Sequence, residues 1–421
     1  MFKPALPSLL FALLLGLLTW RESHQPWLEP AQRGFTEWLA ANAGLKLPAA
    51  PLTLVEINDS TLSADHPWPW LPLDYAIFLS TVEPLKPEVT AIEPTLAFGP
   101  NLSPDDAQYL HAVHDKILAL PKVLLSEKPG FPEDPDLVPP LEAVPVIRKV
   151  EGSIEKIPEY TVIAARPVED LRLSAAMGFT DPSSAPSPLS VPLVYRYHGE
   201  IVPSFALQAV VLWAAATLDE VQVAPGQFIA IGSKLRLPID DAGRLEINPD
   251  VPYARVGNDD LLLRVTQMQN QQPSPYQPGA FAKQIALLSR TDKAARTITA
   301  STDQKISPGE LTAAAIATMT TQAFSREVTW PWEIGICAAL AWFAACVIRW
   351  PRERAVLTVF GVLLGYLVIA LSLYQFKLLA LPFTTPAILG LLALINAAFN
   401  PARLRRGHPG RVRKKRRQPY Y

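Results

Sequence analysis

The chain has 421 residues, 49% of them hydrophobic and 18% charged, with 38 Lys+Arg against 39 Asp+Glu. This composition excludes a collagenous, disordered or disulfide-built protein. The near-neutral total hides two opposite parts: Arg403, Arg405, Arg406, Arg411, Arg413, Lys414, Lys415, Arg416 and Arg417 follow Asn400 with no acid among them, whereas residues 21–331 hold 24 Lys/Arg against 37 Asp/Glu, a net charge of −13 that argues against nucleic-acid binding by that region.

In chain order, Pro4 to Trp20 is uncharged and rich in Leu and Ala, nearly long enough for a bilayer core that needs about 20 apolar residues. The residues after it, Leu18, Thr19, Trp20, Arg21 and Glu22, make a poor signal-cleavage site, so residues 1–20 are expected to stay as an N-terminal transmembrane anchor. The next 310 or so residues alternate short apolar runs with helix-like stretches. Strands are predicted at Leu52–Ile57, Val89–Ile92, Val123–Leu125, Thr161–Ala164, Val191–Tyr197, Gln227–Ile231 and Gln284–Leu288, and helices at Leu73–Val82, Ser103–Leu118, Ser204–Leu218 and Pro308–Gln322. Such alternation favours an α/β sheet with helical crossovers. Ser103 followed by Pro104, Asp105 and Asp106 has the order of a helix start. Pro129 to Pro145 carries six prolines and no apolar period, and is predicted to run over the surface.

Three further apolar stretches, Ile334–Ile348, Ala355–Phe376 and Leu378–Phe399, are separated only by turns. With the N-terminal anchor they make four transmembrane helices. Arg349, Arg352 and Arg354 in the first turn, and the basic tail after the last span, place those segments on the cytoplasmic side. Both termini then share that side and residues 21–331 lie outside the cytoplasm. The cysteines, Cys337 and Cys346, fall in the second span, so the outer domain contains no disulfide. The tail's nine charges could bind anionic membrane lipids at about 1 kcal/mol each. No phosphate loop, serine elbow, H-E-x-x-H or C-x-x-C occurs, which leaves ATP-driven and zinc-hydrolase chemistry without a motif.

Residues Leu54 to Phe98 carry the most specific pattern: a strand ending Glu56-Ile-Asn-Asp59-Ser-Thr-Leu, the turn His66-Pro-Trp68-Pro-Trp70, a helix, then Val89-Thr-Ala-Ile-Glu93 with Phe98 close behind. Gly178-Phe-Thr-Asp181, Pro203-Ser-Phe-Ala-Leu207, Pro238-Ile-Asp240 to Asn248 and Arg290-Thr-Asp292 follow in order. This resembles a CHASE2 domain over nearly all of residues 30–325. Asn58 and Glu93 stand where that family more often has Asp, and Ser289 where Gly is usual. The resemblance implies an extracytoplasmic sensory domain of bacterial receptors, normally followed by membrane spans and a cytoplasmic cyclase or kinase. The 22 residues after the last span are too few for such an output, so a separate kinase or cyclase partner is expected.

Glu56, Asp59 and Glu93 are predicted at the carboxyl ends of neighbouring parallel strands, where open α/β sheets collect ligands; they would bind a cation or cationic solute, or else cap turns. Trp68 and Trp70 would form a stacking platform or a rigid packed corner. Arg290 and Asp292 would meet a ligand at a strand end or pair with each other. His111 and His114 share a helix face and would ligate a metal with Asp115 or Asp105, or else form a solvated face, and Asp240 and Asp241 before Gly243 suit a hairpin turn. The expected architecture is an α/β extracytoplasmic domain (21–331) after the anchor (1–20), then a three-helix transmembrane unit (332–399) and a basic cytoplasmic tail (400–421). The expected function is a bacterial inner-membrane sensor, not an enzyme, with no metal or cofactor, that binds a small-molecule or envelope ligand and is compatible with a homodimer. The alternatives are a non-catalytic envelope scaffold, or an envelope enzyme using Glu56, Asp59 and Glu93.

Overall fold

The computed structural model describes residues 29–44, 47–62, 67–99, 103–131, 142–180, 190–301, 304–324, 326–328, 330–347 and 352–382, with 387 and 390. The chain divides into two compact units, Leu47–Phe324 and a second made of Met1–Lys46 with Ser325–Tyr421. The first is narrower than the span 21–331 read from the sequence, because residues 29–42 cluster with the C-terminal helices.

The larger unit is built on a parallel sheet. Its strands are β1 (Leu52–Ile57), β2 (Val89–Ile92), β3 (Val123–Gly130), β4 (Val162–Ala165), β5 (Ala176–Phe179), β6 (Ala254–Gly257) and β7 (Ile285–Arg290). The order is β6-β1-β7-β2-β3, with β5 parallel to the middle of β3 and β4 antiparallel to its end. Near-continuous apolar runs such as Leu52-Thr-Leu-Val55 and Val89-Thr-Ala-Ile92 suit strands covered on both faces.

One face is covered by α1 (Pro72–Val82), α2 (Pro104–Ala119) and α4 (Asn258–Gln269), whose Phe78, Leu79, Val113, Ile117, Leu261 and Val265 pack on Val55, Ile57, Ile92, Leu125 and Leu288. The other is covered by α3 (Phe205–Trp213) against β2, β3 and β5, and α5 (Pro308–Thr321) against β1 and β7. Side chains alternate along a strand, so Ala286 and Leu288 of β7 enter the first layer while Ser289 meets α5. The helix starts follow local chemistry. Ser103, Ser204 and Ser307 each accept a hydrogen bond at 3.1 Å from the backbone N–H three residues on. Ser307 also donates its own N–H to Glu310 Oε2 at 2.8 Å, which completes a reciprocal cap.

The predicted helix from Ser204 ends earlier than expected, at Trp213, before the left-handed Ala215. The predicted strand Val191–Tyr197 is two short strands, Ser190–Pro192 and Val194–Tyr197, in different small sheets. Asp240 Oδ1 accepts from Ala242 N and Arg244 N, both at 2.9 Å, in the turn that Gly243 closes with φ +73°. Most of the Pro129–Pro145 segment lies outside the described residues, although Lys128, Pro129 and Gly130 pair with β4.

In the second unit, Arg352–Lys377 holds Val356–Phe376, the one helix among the described residues long and apolar enough to cross a membrane. Helix Trp330–Val347 contains a shorter apolar stretch, Pro331–Leu340. The expected first span, most of the expected last span and the basic tail lie outside the described residues. Helix Glu29–Asn42 places Phe35 and Leu39 against Ala370, Tyr374, Ala380 and Leu381.

A Cβ on Gly178 would lie 2.7 Å from the Phe205 Cα and 3.1 Å from its N, backbone atoms that cannot yield, whereas one on Gly99 would meet nothing within 4 Å. Gly178→Ala should therefore lower stability in a urea titration by about 1–3 kcal/mol, with Gly99→Ala nearly neutral. Equal effects of the two would contradict the close packing of β5 on α3.

Candidate functional site

The connections leaving β1 and β2 run through α1 and α2 on one face, while the connection from β7, which lies between them, ends in α5 on the other. That divergence makes the carboxyl end of β7 a topological switch point, the position at which open α/β sheets form a ligand-binding crevice. The sheet is parallel there as expected, but β1 and β2 are not neighbours. β7 pairs with both, Val55 with Leu288 and Ile92 with Leu288, so Glu56 and Glu93 are separated by a whole strand. The adjacency expected from sequence is corrected on this point, because the strand that separates them comes from 190 or so residues later in the chain.

The seven candidate residues share this edge and divide between its faces. Glu56 and Glu93 point toward α5. Arg255 of β6 donates to Glu56 Oε1 through Nε at 2.8 Å and Nη2 at 2.5 Å, and its Nη2 also reaches Glu310 Oε1 at 2.7 Å. Burial opposes the charge on Arg255, yet the hydrogen bonds to Glu310 and Glu56 outweigh it and raise its pKa above the ordinary arginine value. Burial also acts to raise the Glu310 carboxyl, but the Ser307 N–H and the Arg255 guanidinium prevail and hold it below its usual value. Arg255 thus joins the ends of β1 and β6 to the first turn of α5.

Glu93 is buried beneath that same turn. Its Oε2 accepts a short hydrogen bond from Ser289 Oγ, and its Oε1 accepts one from Thr312 Oγ1 at 3.0 Å. A Cβ on Gly309 would overlap the Ser289 hydroxyl and come within 3.0 Å of Glu93 Oε2, so glycine is what lets α5 sit this close. Burial raises the Glu93 pKa from 4.5 despite the two hydroxyl donors, because neutral donors compensate a desolvated charge only in part. The Glu93 carbonyl accepts from Ser126 Oγ at 2.6 Å, which ties the end of β2 to β3.

Trp68, Arg290 and Asp292 form the other half. Arg290 donates to Asp292 from Nε at 2.5 Å and Nη2 at 2.9 Å, and its guanidinium lies 4.8 Å from the Trp68 ring centre. Asp59 is exposed and accepts from the Lys293 N–H at 3.3 Å. Trp70 lies deeper, 5% exposed and edge-on to Tyr75 at 5.5 Å, as a packed corner. Asn58 Oδ1 accepts from Ser60 N at 3.0 Å and Thr61 N at 3.2 Å, so it organises the turn after β1. On this half solvent reaches Asp59, Trp68 and part of Arg290, while Asp292 is buried.

A second polar cluster escaped sequence reasoning. Glu127, fully buried on β3, accepts at Oε1 from Arg166 Nη2 at 2.8 Å and Nε at 3.2 Å, while Arg166 Nη1 pairs with Glu142. Burial raises the Glu127 pKa, with Arg166 opposing. The sequence signal is weak, because Glu127 lies between Ser126 and Lys128, beyond the apolar run Val123–Leu125 at which the predicted strand ends. His114 bonds Ser174 Oγ at 2.9 Å, and no group of three metal-ligating side chains occurs among the described residues.

The chain is a mixed α/β domain joined to apolar helices. It belongs to the CHASE2 domain family, whose model matches residues 9–348. CHASE2 domains are extracytoplasmic sensory domains of membrane proteins. Nothing among curated proteins or solved structures matches the chain.

Because its folded pKa is raised, Glu93 holds its proton longer in the native than in the unfolded chain, so stability is lost as pH rises from about 4.5 through the native pKa. Glu93→Gln should remove that loss: the variant gains on the native protein as pH increases, and the two converge toward pH 4. Parallel stability curves, followed by urea midpoints across pH 4–8, would show that burial does not perturb this carboxyl.

Proposed function

We propose that the protein is a multi-pass sensor of the bacterial inner membrane, with residues 21–331 outside the cytoplasm, four spans, both termini cytoplasmic and no catalysis of its own. Its ligand, a small molecule or envelope component, enters the crevice at β7 beside Asp59, Trp68, Arg290 and Asp292. Ligand that draws on Arg290 or Asp292 biases the packing of β7, and β7 contacts α5 through Ser289. The observation that carries this reading is the double attachment of α5 to the ligand edge, by Glu93 with Thr312 and by Arg255 with Glu310. α5 is also the last helix before the chain enters the apolar helices at Trp330. Its state passes to a separate kinase or cyclase, with the basic tail held on anionic lipid, and a homodimer suits such an arrangement.

One observation favours the scaffold reading instead. Glu56, Glu93 and Asp292 already have protein donors, so a ligand must displace an existing partner to use them. Crosslinking pull-down from native membranes, with the intact chain and with one truncated after Asn400, separates the two. The sensor reading expects a kinase or cyclase recovered with the intact chain and lost on truncation. Recovery of envelope-assembly proteins alone would overturn it in favour of the scaffold.

A further inference from the structure

Helix Glu29–Asn42 was expected to belong to the outer region, yet it packs with the apolar helices, and the level at which it packs is informative. The apolar stretch Val356–Phe376 has 21 residues; at 1.5 Å per residue it spans roughly 31 Å, close to the ~30 Å hydrocarbon core of a bilayer. Its upper boundary therefore falls at Phe376 and Lys377. Tyr374 lies only ~3 Å below that boundary and Ala370 ~9 Å below it, on the same rise per residue. Phe35, Leu39 and Ala43 pack against these two residues and against Ala380 and Leu381 of the returning chain. Tyr366 OH donates to Pro382 O at 2.6 Å, so the chain after Leu378 folds back down along the helix.

The apolar face of Glu29–Asn42 thus reaches into the outermost ~5–10 Å of the apolar zone, the depth at which interfacial helices lie. A helix at that level meets lipid on whatever flank protein leaves open. On the open flank Trp38 is 41% exposed and stacks on Phe35 with ring centres 6.1 Å apart. Ala31 and Asn42 are exposed beside it, by the spacing of a helix. Trp332, 74% exposed, lies in the first turn of the neighbouring helix, one turn above Ile336, which packs on the same cluster. Tryptophan prefers this boundary because its ring is apolar while its N–H still reaches headgroups and water.

We propose that Glu29–Asn42 is an interfacial helix lying in the outer leaflet, with Trp38 inserted among lipid headgroups as its anchor. The partner of this surface is lipid. The helix sets the height of the membrane helices relative to the bilayer and joins them before the sensor domain begins at Leu47. This inference rests on the membrane reading, and its test is arranged so that the two fail separately.

Nitroxide labels are placed at Trp38→Cys and, as a milder change on the same flank, Ala31→Cys, in the full chain with Cys337 and Cys346 replaced by Ser. The chain is reconstituted in phosphatidylcholine–phosphatidylglycerol vesicles. Collision with oxygen and with a water-soluble nickel chelate reports depth, with Leu364→Cys as the mid-bilayer reference and Ser60→Cys as the aqueous one. The expected result is an oxygen-to-nickel ratio at positions 31 and 38 between the two references, similar at both because the helix lies flat. With Leu364 deep, aqueous ratios at both positions overturn the interfacial helix and leave the membrane reading standing. Exclusion of both reagents means that protein covers the flank, which also overturns it. An aqueous ratio at Leu364 overturns the membrane reading and the helix placement together.

Discussion

A carboxylate taken out of water must find donors, and in this protein that demand determines how the last helix of the sensor domain meets the sheet. Glu93 stands at the end of β2 under the first turn of α5, and its oxygens are satisfied by one hydroxyl from β7 and one from α5. The contact requires glycine at 309, because any side chain there would strike Ser289. The small, buried Ala313, Ala314, Ala315 and Ala317 continue this helix surface. Beside it, Arg255 holds one carboxylate from the sheet and one from the helix, so its loss would leave Glu56 without its guanidinium and Glu310 with the more distant Arg296, at 3.7 Å, as its ion-pair partner.

These contacts make α5 the element through which a change at the carboxyl edge would be felt. The second group, the half-buried Trp68 over Arg290 paired with the buried Asp292, sits on the opposite face of the same strand ends. β7 is common to both halves: Arg290 serves the outer one and Ser289 the inner one, as adjacent residues of a strand must. A ligand that rearranges the Arg290–Asp292 pair acts on a strand whose preceding residue touches Glu93 and the α5 backbone.

Much of the fold could be read locally. Serine followed by proline and acids marked α2, and Ser204 and Ser307 began helices for the same reason: a side-chain oxygen can satisfy an N–H that the helix leaves open. The apolar runs of β1, β2 and β7 were plain because both faces of each are covered. What escaped was non-local or mixed in character. The strand Ala254–Gly257 is four residues long and carries an arginine that only its partners 199 and 55 residues away explain. The helix Asn258–Gln269 starts with Asn-Asp-Asp but exposes Leu262 and Leu263, which blurs its period. Strand order is set by packing across the whole domain, so Glu56 and Glu93 could be placed at strand ends, but the strand that separates them could not be seen. Glu29–Asn42 fell inside the outer domain 21–331 by its position in the chain, whereas the partners that hold it come from Ala370 to Leu381.

The proposed function requires that a change at the carboxyl edge pass through α5 to the segment entering the apolar helices. Hydrogen exchange of the full chain in lipid nanodiscs, comparing the native protein with Arg255→Ala, tests it most directly. The account predicts faster exchange across residues 307–321 and also across 326–336, with β3 unchanged. Acceleration confined to 307–321, or none at all, would contradict it.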